Sequence, residues 1–236
     1  MAKVGDIIDV ENADWSFGGK VAENFDQHAN RSIPQYALGH DIVTALSDFF
    51  IHDGSVSYDL GCSTGSLLHK LASRHSQRHA RFVGVDQEPD MASRAKERCA
   101  VVPHVEVLCD DILDVDFSAA DFIVAYYTLQ FVKPKHRQAL VSKLYEALNW
   151  GGALVIFDKV RAPDARFQDI ASAIYQDYKL DSGYSGNEIV AKARSLKGVL
   201  EPFSTAGNLA LFERAGFVDV TSVYKFICFE GFLAIK

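Results

Sequence analysis

From Ser55 onward, short apolar runs alternate with segments whose apolar residues fall three and four apart. That alternation admits little besides a sheet with helical crossovers. The strand candidates are Ser55 to Leu60, Arg81 to Asp86, His104 to Cys109, Phe122 to Tyr126, Ala153 to Phe157, Val218 to Phe226 and Phe229 to Ile235. The first five are nearly continuous in apolar character, as parallel strands covered on both faces require. Between them Gly65 to Arg74, Met91 to Cys99 and Lys135 to Leu148 carry helical spacing, and Asn149-Trp150-Gly151-Gly152 stops the last of these. The final two strands have no helix between them. Glu230-Gly231 and the residues before it leave room only for a tight connection or a bulge, which predicts an antiparallel hairpin at one edge. The expected fold class is α/β: a Rossmann-like, seven-stranded, mostly parallel sheet with a C-terminal antiparallel hairpin.

Two segments stand outside this pattern. Residues 1–50 begin polar and irregular and become helical from Tyr36 to Phe50, and residues 161 to about 203 form a helical insertion after the fifth strand. Both are expected over the carboxyl ends of the strands, where open α/β sheets bind ligands. The predicted organisation is an N-terminal arm and helix (1–50) covering the site of a ligand-binding domain (51–236), whose helical lid spans about 161–203.

A chain of 236 residues can bury roughly 70% of its unfolded surface without disulfide or metal support. The formal charge is −7 and no run of Lys or Arg exceeds a pair, so a DNA partner is not expected. Cys62, Cys99, Cys109 and Cys228 are widely spaced, which fits a reduced, cytoplasmic setting. Asp6, Asp9, Glu11 and Asp14 contradict a secretory leader, and without an 18-residue apolar run no membrane partner is expected. His75 and His79 are four apart, yet Ser76-Gln77-Arg78 reads as an exposed connection with no acidic or cysteine partner, so no metal site is predicted.

The most informative string is Tyr58-Asp59-Leu60-Gly61-Cys62-Ser63-Thr64-Gly65. A strand ends in a carboxylate, and glycines let the chain turn tightly before a helix. A dinucleotide loop reads G-x-G-x-x-G and sets pyrophosphate on the helix N-terminus. Here the glycines read G-x-x-x-G, and Asp59 would repel pyrophosphate but accept from an ammonium group. That favours an amino-acid-bearing nucleoside such as S-adenosylmethionine. Asp86 closes the second strand near the spacing at which a carboxylate receives ribose hydroxyls. The third strand ends Cys109-Asp110-Asp111-Ile112, where an acidic side chain can accept from the adenine amine while an apolar neighbour packs on the ring. Three such signals in order predict an S-adenosylmethionine site, with Asp59 and Gly65 among its cofactor contacts and Tyr126 touching cofactor or acceptor.

Asp14-Trp15-Ser16-Phe17, Arg31-Ser32-Ile33-Pro34-Gln35-Tyr36, the Gly-Cys-Ser loop, Thr128-Leu129-Gln130-Phe131, Gly151-Gly152-Ala153-Leu154-Val155 and Gly183-Tyr184-Ser185 with Glu188-Ile189 resemble the carboxy-S-adenosylmethionine synthases. The likeness runs from about residue 14 to the C-terminus. It implies a class I methyltransferase fold whose cofactor contacts are Tyr36, Gly61, Cys62, Ser63, Asp86, Gln87, Asp111 and Ile112. It further implies conversion of S-adenosylmethionine and prephenate to a carboxylated cofactor used on a tRNA wobble uridine, and with the long insertion it favours a homodimer. Two positions depart from the family pattern. The family's Lys-Arg, whose arginine clamps the added carboxylate, is here Lys192-Ala193, with Arg194 displaced by about 100° of helix rotation. The family's asparagine upstream of Thr128 is here Tyr126. An arginine fork is not replaced by alanine, so the expected reaction is methyl transfer to a small-molecule acceptor. Carboxylated-cofactor synthesis and a non-catalytic binding protein are the alternatives.

Methyl transfer from a sulfonium asks mainly for alignment and, for some acceptors, a base. Tyr126, His28 and Asp158 are the catalytic candidates, with His28 placed in a polar loop and Asp158 open to pairing with Lys159 or Arg161. Trp15, Phe17, Tyr126, Tyr127, Tyr175, Tyr178 and Tyr184 are the expected walls, although strand alternation would turn Tyr127 into the core.

Overall fold

The computed structural model describes residues 2–3 and 9–236; Asp6 lies outside them, and of Asp9 only the backbone is described. In chain order the elements are β1 (Ala2–Lys3), β2 (Asp9–Val10), α1 (Lys20–Ser32), α2 (Tyr36–Ser47), β3 (Val56–Leu60), α3 (Ser66–Arg74), β4 (Arg81–Val85), α4 (Pro89–Cys99), β5 (Val105–Leu108) and β6 (Ala120–Tyr126). They continue through a 3-10 turn (Leu129–Phe131), α5 (Pro134–Ala147), β7 (Leu148–Lys159), α6 (Ala165–Asp181), α7 (Gly186–Ser195), α8 (Thr205–Ala215), β8 (Asp219–Phe226) and β9 (Phe229–Ile235).

Among the described residues the main sheet has seven strands in the order β5-β4-β3-β6-β7-β9-β8. The first five are parallel, with Tyr58 opposite both Val83 and Ile123 and Ile123 opposite Leu154. β9 runs antiparallel to β7 and to β8, as the missing crossover requires. The hairpin turns at Ile227-Cys228, while Glu230 and Gly231 lie inside β9 rather than in the connection. Apolar side chains of both sheet faces are sealed. Phe82, Phe122, Val124 and Phe157 pack under α2, α3 and α4, and Val83, Ile123, Leu154 and Ile156 pack under α5 and α8.

Helix boundaries follow local chemistry. Asp164 and Ser185 cap α6 and α7 by accepting from Phe167 N–H and Glu188 N–H, and Ser204 caps α8 by accepting from Gly207 N–H. α5 stops at Ala147, and Asn149–Gly152 then form an excursion at the start of β7, since Ala120 pairs with Leu148 and Phe122 with Ala153.

The arm differs from the sequence expectation. It is helical from Lys20, well before Tyr36, and α2 ends at Ser47. The inward side of α1 carries Val21, Ala22, Phe25, His28, Ala29 and Ser32, so two polar residues break the apolar stripe. Ser76 and Gln77 are exposed, as expected of a connection, but His75 before them is buried, and its Nε2 lies 2.7 Å from Ser47 Oγ. No helix among the described residues is long and apolar enough to cross a membrane, and they hold no His, Cys, Asp and Glu cluster suited to a metal.

Candidate active site

The loop after β3 uses its own backbone donors. Gly61 N–H and Cys62 N–H both donate to Val85 O, at 2.7 and 3.0 Å, and Ser63 N–H donates to Asp86 Oδ2 at 2.8 Å. A phosphate cradle needs such donors free, so the loop is closed to pyrophosphate. Gly61 adopts φ +68°, and a Cβ there would lie 2.5 Å from Thr128 Oγ1, which donates to Leu60 O. Only glycine fits that turn. Gly65 also has positive φ, but it does not line the chamber; a Cβ there would meet Ala95 on α4 at 2.9 Å. Its role is close packing of α3 against α4, a correction to its expected place among the cofactor contacts.

A chamber of about 1010 Å³ opens over the carboxyl ends of the strands, at the upper limit of small-molecule sites. Tyr36, Asp59, Gly61, Cys62, Ser63, Asp86, Gln87, Asp111, Ile112, Tyr126 and His28 all line it. Asp59 is fully buried and its Oδ2 has no hydrogen-bond partner among the described residues. Burial, and then the charge of Asp86, raise its carboxyl to about 7. Asp86 accepts from Ser63 and Glu88 N–H through its two oxygens, which fixes the plane of the carboxylate and leaves further lone pairs for hydroxyl donors. Asp111 accepts from Leu113 N–H at 2.9 Å beside the apolar side chains of Ile112 and Leu113. The donor set fits S-adenosylmethionine: an orphaned carboxylate for the ammonium, an oriented one for the ribose and a third beside an apolar wall for the adenine. Cys62 packs in the loop, and burial pushes its thiol up, away from nucleophilic use.

Tyr126 donates its hydroxyl proton to Tyr36 O at 2.6 Å, and burial raises both phenols. As a proton acceptor Tyr126 is therefore poorly suited; it is a wall. Space for it is left by Gly39, where a Cβ would lie 2.1 Å from the Tyr126 hydroxyl. Tyr127 departs from expectation. Its φ is +59°, its N–H donates to Phe157 O, and its ring stacks on Tyr36 at 6.1 Å, so it joins Tyr126 in the chamber. Gln130 holds this strained residue by donating to Tyr127 O while its Oε1 accepts from Lys159 N–H.

Three further expectations are corrected. Asp158 is buried away from the chamber and pairs with neither Lys159 nor Arg161; it accepts from Gln130 N–H at 3.3 Å, and burial, offset in part by Gln130 and Arg137, raises it to about 8. Tyr178 and Tyr184 do not line the chamber; the Tyr184 hydroxyl lies 3.0 Å from Ser32 Oγ behind the wall. His28 sits on α1, not in a polar loop, 4% exposed and stacked on Trp15 at 5.5 Å. Ser32 Oγ and the Tyr184 hydroxyl stand 3.5 and 3.4 Å from its two nitrogens, and Lys192 Nζ meets its Nε2. Ala193 lines the chamber as Arg194 does not, and Lys192 lines it too. Sequence reading missed Lys159 and Lys179 as site residues, since their proximity depends on β7 and α6 converging and carries no local signal, and it quoted Gln130 in the Thr128–Phe131 string without giving it a role.

This architecture and this acidic rim are those of the S-adenosylmethionine-dependent methyltransferase fold, and residues 58–152 match the model of the methyltransferase domain. Solved structures agree on the fold: human N-acetylserotonin methyltransferase in complex with SAM (TM-score 0.62, 15% identity, 92% of this chain and 55% of that one) and the S-adenosylmethionine-dependent methyltransferase SibL (TM-score 0.62, 18% identity, 92% and 57%). Carboxy-S-adenosyl-L-methionine synthases are similar over almost the whole length: 33% identity with that of Staphylococcus epidermidis (94% of this chain, 97% of the relative), 36% with that of Wolinella succinogenes (94% and 93%) and 34% with that of Helicobacter pylori (95% and 95%). The chain belongs to the carboxy-S-adenosyl-L-methionine synthase family, and its cofactor is S-adenosylmethionine.

Proposed function

We propose that the protein joins S-adenosylmethionine and a second small molecule in this chamber, and that its reaction is the synthesis of carboxy-S-adenosyl-L-methionine for which its relatives are named. The observation that carries this reading is coverage. Similarity spans 94% of the chain, and so takes in α6, α7 and most of the arm, the parts that enclose a chamber large enough for two ligands. The sulfonium of S-adenosylmethionine, once bound, activates the carbons attached to it and acidifies their C–H bonds. The chain's own part is to hold and enclose. Asp59 would hold the amine, Asp86 the ribose and Asp111 with Ile112 the adenine, while Trp15, Tyr36, Tyr126 and Tyr127 line the chamber and exclude water. His28 remains the candidate for taking a proton inside the chamber.

Methyl transfer to a small acceptor is the second reading, favoured by Ala193 and Tyr126 at the two positions where the family resemblance implies arginine and asparagine. Lys192 supplies a point charge at that wall, not a planar fork. Mass analysis of the nucleosides formed from S-adenosylmethionine and prephenate separates the readings. A carboxylated nucleoside supports the first. S-adenosylhomocysteine formed only when an acceptor pool is supplied, with methyl label passing to the acceptor, supports the second and overturns the first. Tight binding with neither product points to a regulatory role and overturns both.

A further inference from the structure

The strand order sorts charge along the chamber. The ends of β5, β4 and β3 bring Asp111, Asp86 and Asp59, the end of β6 brings Tyr126 and Tyr127, and the ends of β7 and β9 bring Lys159, Cys228 and Phe229. Adjacent strands stand about 4.8 Å apart, so β7 lies roughly 10 Å across the sheet from β3, and Lys159 stands four residues beyond Val155, the residue level with Asp59. Onto this far end α6 sets Tyr175 and Lys179, which also line the chamber.

Two ammonium groups share one ring there. Lys159 Nζ lies 4.3 Å and Lys179 Nζ 4.5 Å from the centroid of Tyr175. The ring is fixed, because its hydroxyl donates to Ser32 O at 2.7 Å. Among the described residues neither ammonium has a carboxylate or hydrogen-bonding partner; aromatic faces are the contacts they make. Burial pushes both lysines down, opposed in part by Cys228, with Arg161 and Lys197 adding at Lys159, and with Lys159 itself adding at Lys179, which reaches about 8. Like charges gathered in a half-buried cleft without a counter-ion are unfavourable, and a bound anion relieves them.

We propose that this end of the chamber is a carboxylate subsite, where Lys159 and Lys179 together hold the carboxylate of a ring-bearing second substrate. The proposal rests on the reading that a second small molecule shares the chamber with S-adenosylmethionine. A planar carboxylate offers one oxygen to each ammonium and sets the attached ring against the Tyr127–Phe229 pair, whose rings meet edge to face with centroids 5.9 Å apart, pointing the remainder of the molecule back toward the cofactor half. A phosphate would leave oxygens against Tyr175, Phe229 and Cys228, which are apolar there.

The test is calorimetric titration of the full chain saturated with S-adenosylhomocysteine, using phenylacetate, phenylpyruvate and 4-hydroxybenzoate, their methyl esters, and inorganic phosphate. At least one acid binds, with its ester and phosphate about tenfold or more weaker. Lys159→Gln and Lys179→Gln each weaken that acid by about tenfold, Lys179→Arg restores most of the affinity, and S-adenosylhomocysteine binding is unchanged in all three. The glutamine variants melt at or above the parent temperature, since a repulsion has been removed. An ester binding as well as its acid, phosphate binding as well as the acids, no acid binding, or parental affinity in both glutamine variants overturns the subsite. Failure of the parent protein to bind S-adenosylhomocysteine at all would instead strike the cofactor reading.

Discussion

Asp59 is held against its own burial, and this makes its charge depend on the ligand. Its carboxyl is raised to about 7, so below that pH the free protein presents a neutral acid where an ammonium must bind. Affinity for S-adenosylhomocysteine is expected to climb from pH 5.5 to pH 7.5 and to flatten above; titrations across that range check this, and Asp59→Asn should bind weakly with no such slope. Asp158 provides the parallel case for stability. A carboxyl raised in the folded state binds a proton that the unfolded chain has already lost, so stability falls as pH rises from the ordinary carboxylate range through about 8. Asp158→Asn keeps the oxygen that accepts from Gln130 N–H and removes the ionisation. Its melting temperature should match the parent near pH 3.5 and exceed it by a margin that grows up to pH 8, and a constant or shrinking margin in thermal melts would speak against the buried charge.

At the scale of elements, α1 is fastened to the cofactor loop by a polar latch. Asp26 accepts from Thr64 Oγ1 and from Arg98 Nη2, both at 2.6 Å, and Arg98 Nη1 donates to Thr64 Oγ1. The pair is more than a third exposed, so its own strength is about 0.2–1 kcal/mol. Arg98→Ala should leave the melting temperature nearly unchanged while weakening S-adenosylhomocysteine by up to about fivefold, measured calorimetrically. The helix it holds was not legible from periodicity, because its inward stripe is interrupted by His28 and Ser32, which face the chamber and not the core. Strands β3 to β7 were legible for the opposite reason: covered on both faces, their interiors are mostly apolar, with Ser57 and Asp59 of β3 and Glu106 of the edge strand β5 among the exceptions. α8 went unread although Ser204 and Gly216 punctuate it at either end. Tyr127 shows a different limit, since alternation fails where a residue leaves the strand at positive φ, and the holding contact comes from Gln130 three positions on.

At the scale of the molecule, the sheet converts sequence order into a gradient from acidic to basic across one chamber. The acidic half could be read along the chain, because each carboxylate closes its own strand. The basic half could not, since Lys159 and Lys179 meet only once β7 and α6 are folded together, and neither has a local motif. What the whole arrangement requires is that Asp59, Asp86 and Asp111 act jointly on one S-adenosyl nucleoside. Calorimetric titration of S-adenosylhomocysteine into the parent and the Asp86→Ala protein tests this most directly. Loss of two charged hydrogen bonds to the ribose predicts binding weakened about 100-fold or more, with the fold retained by circular dichroism. Equal affinities in the two proteins, or no heat with the parent, would contradict it.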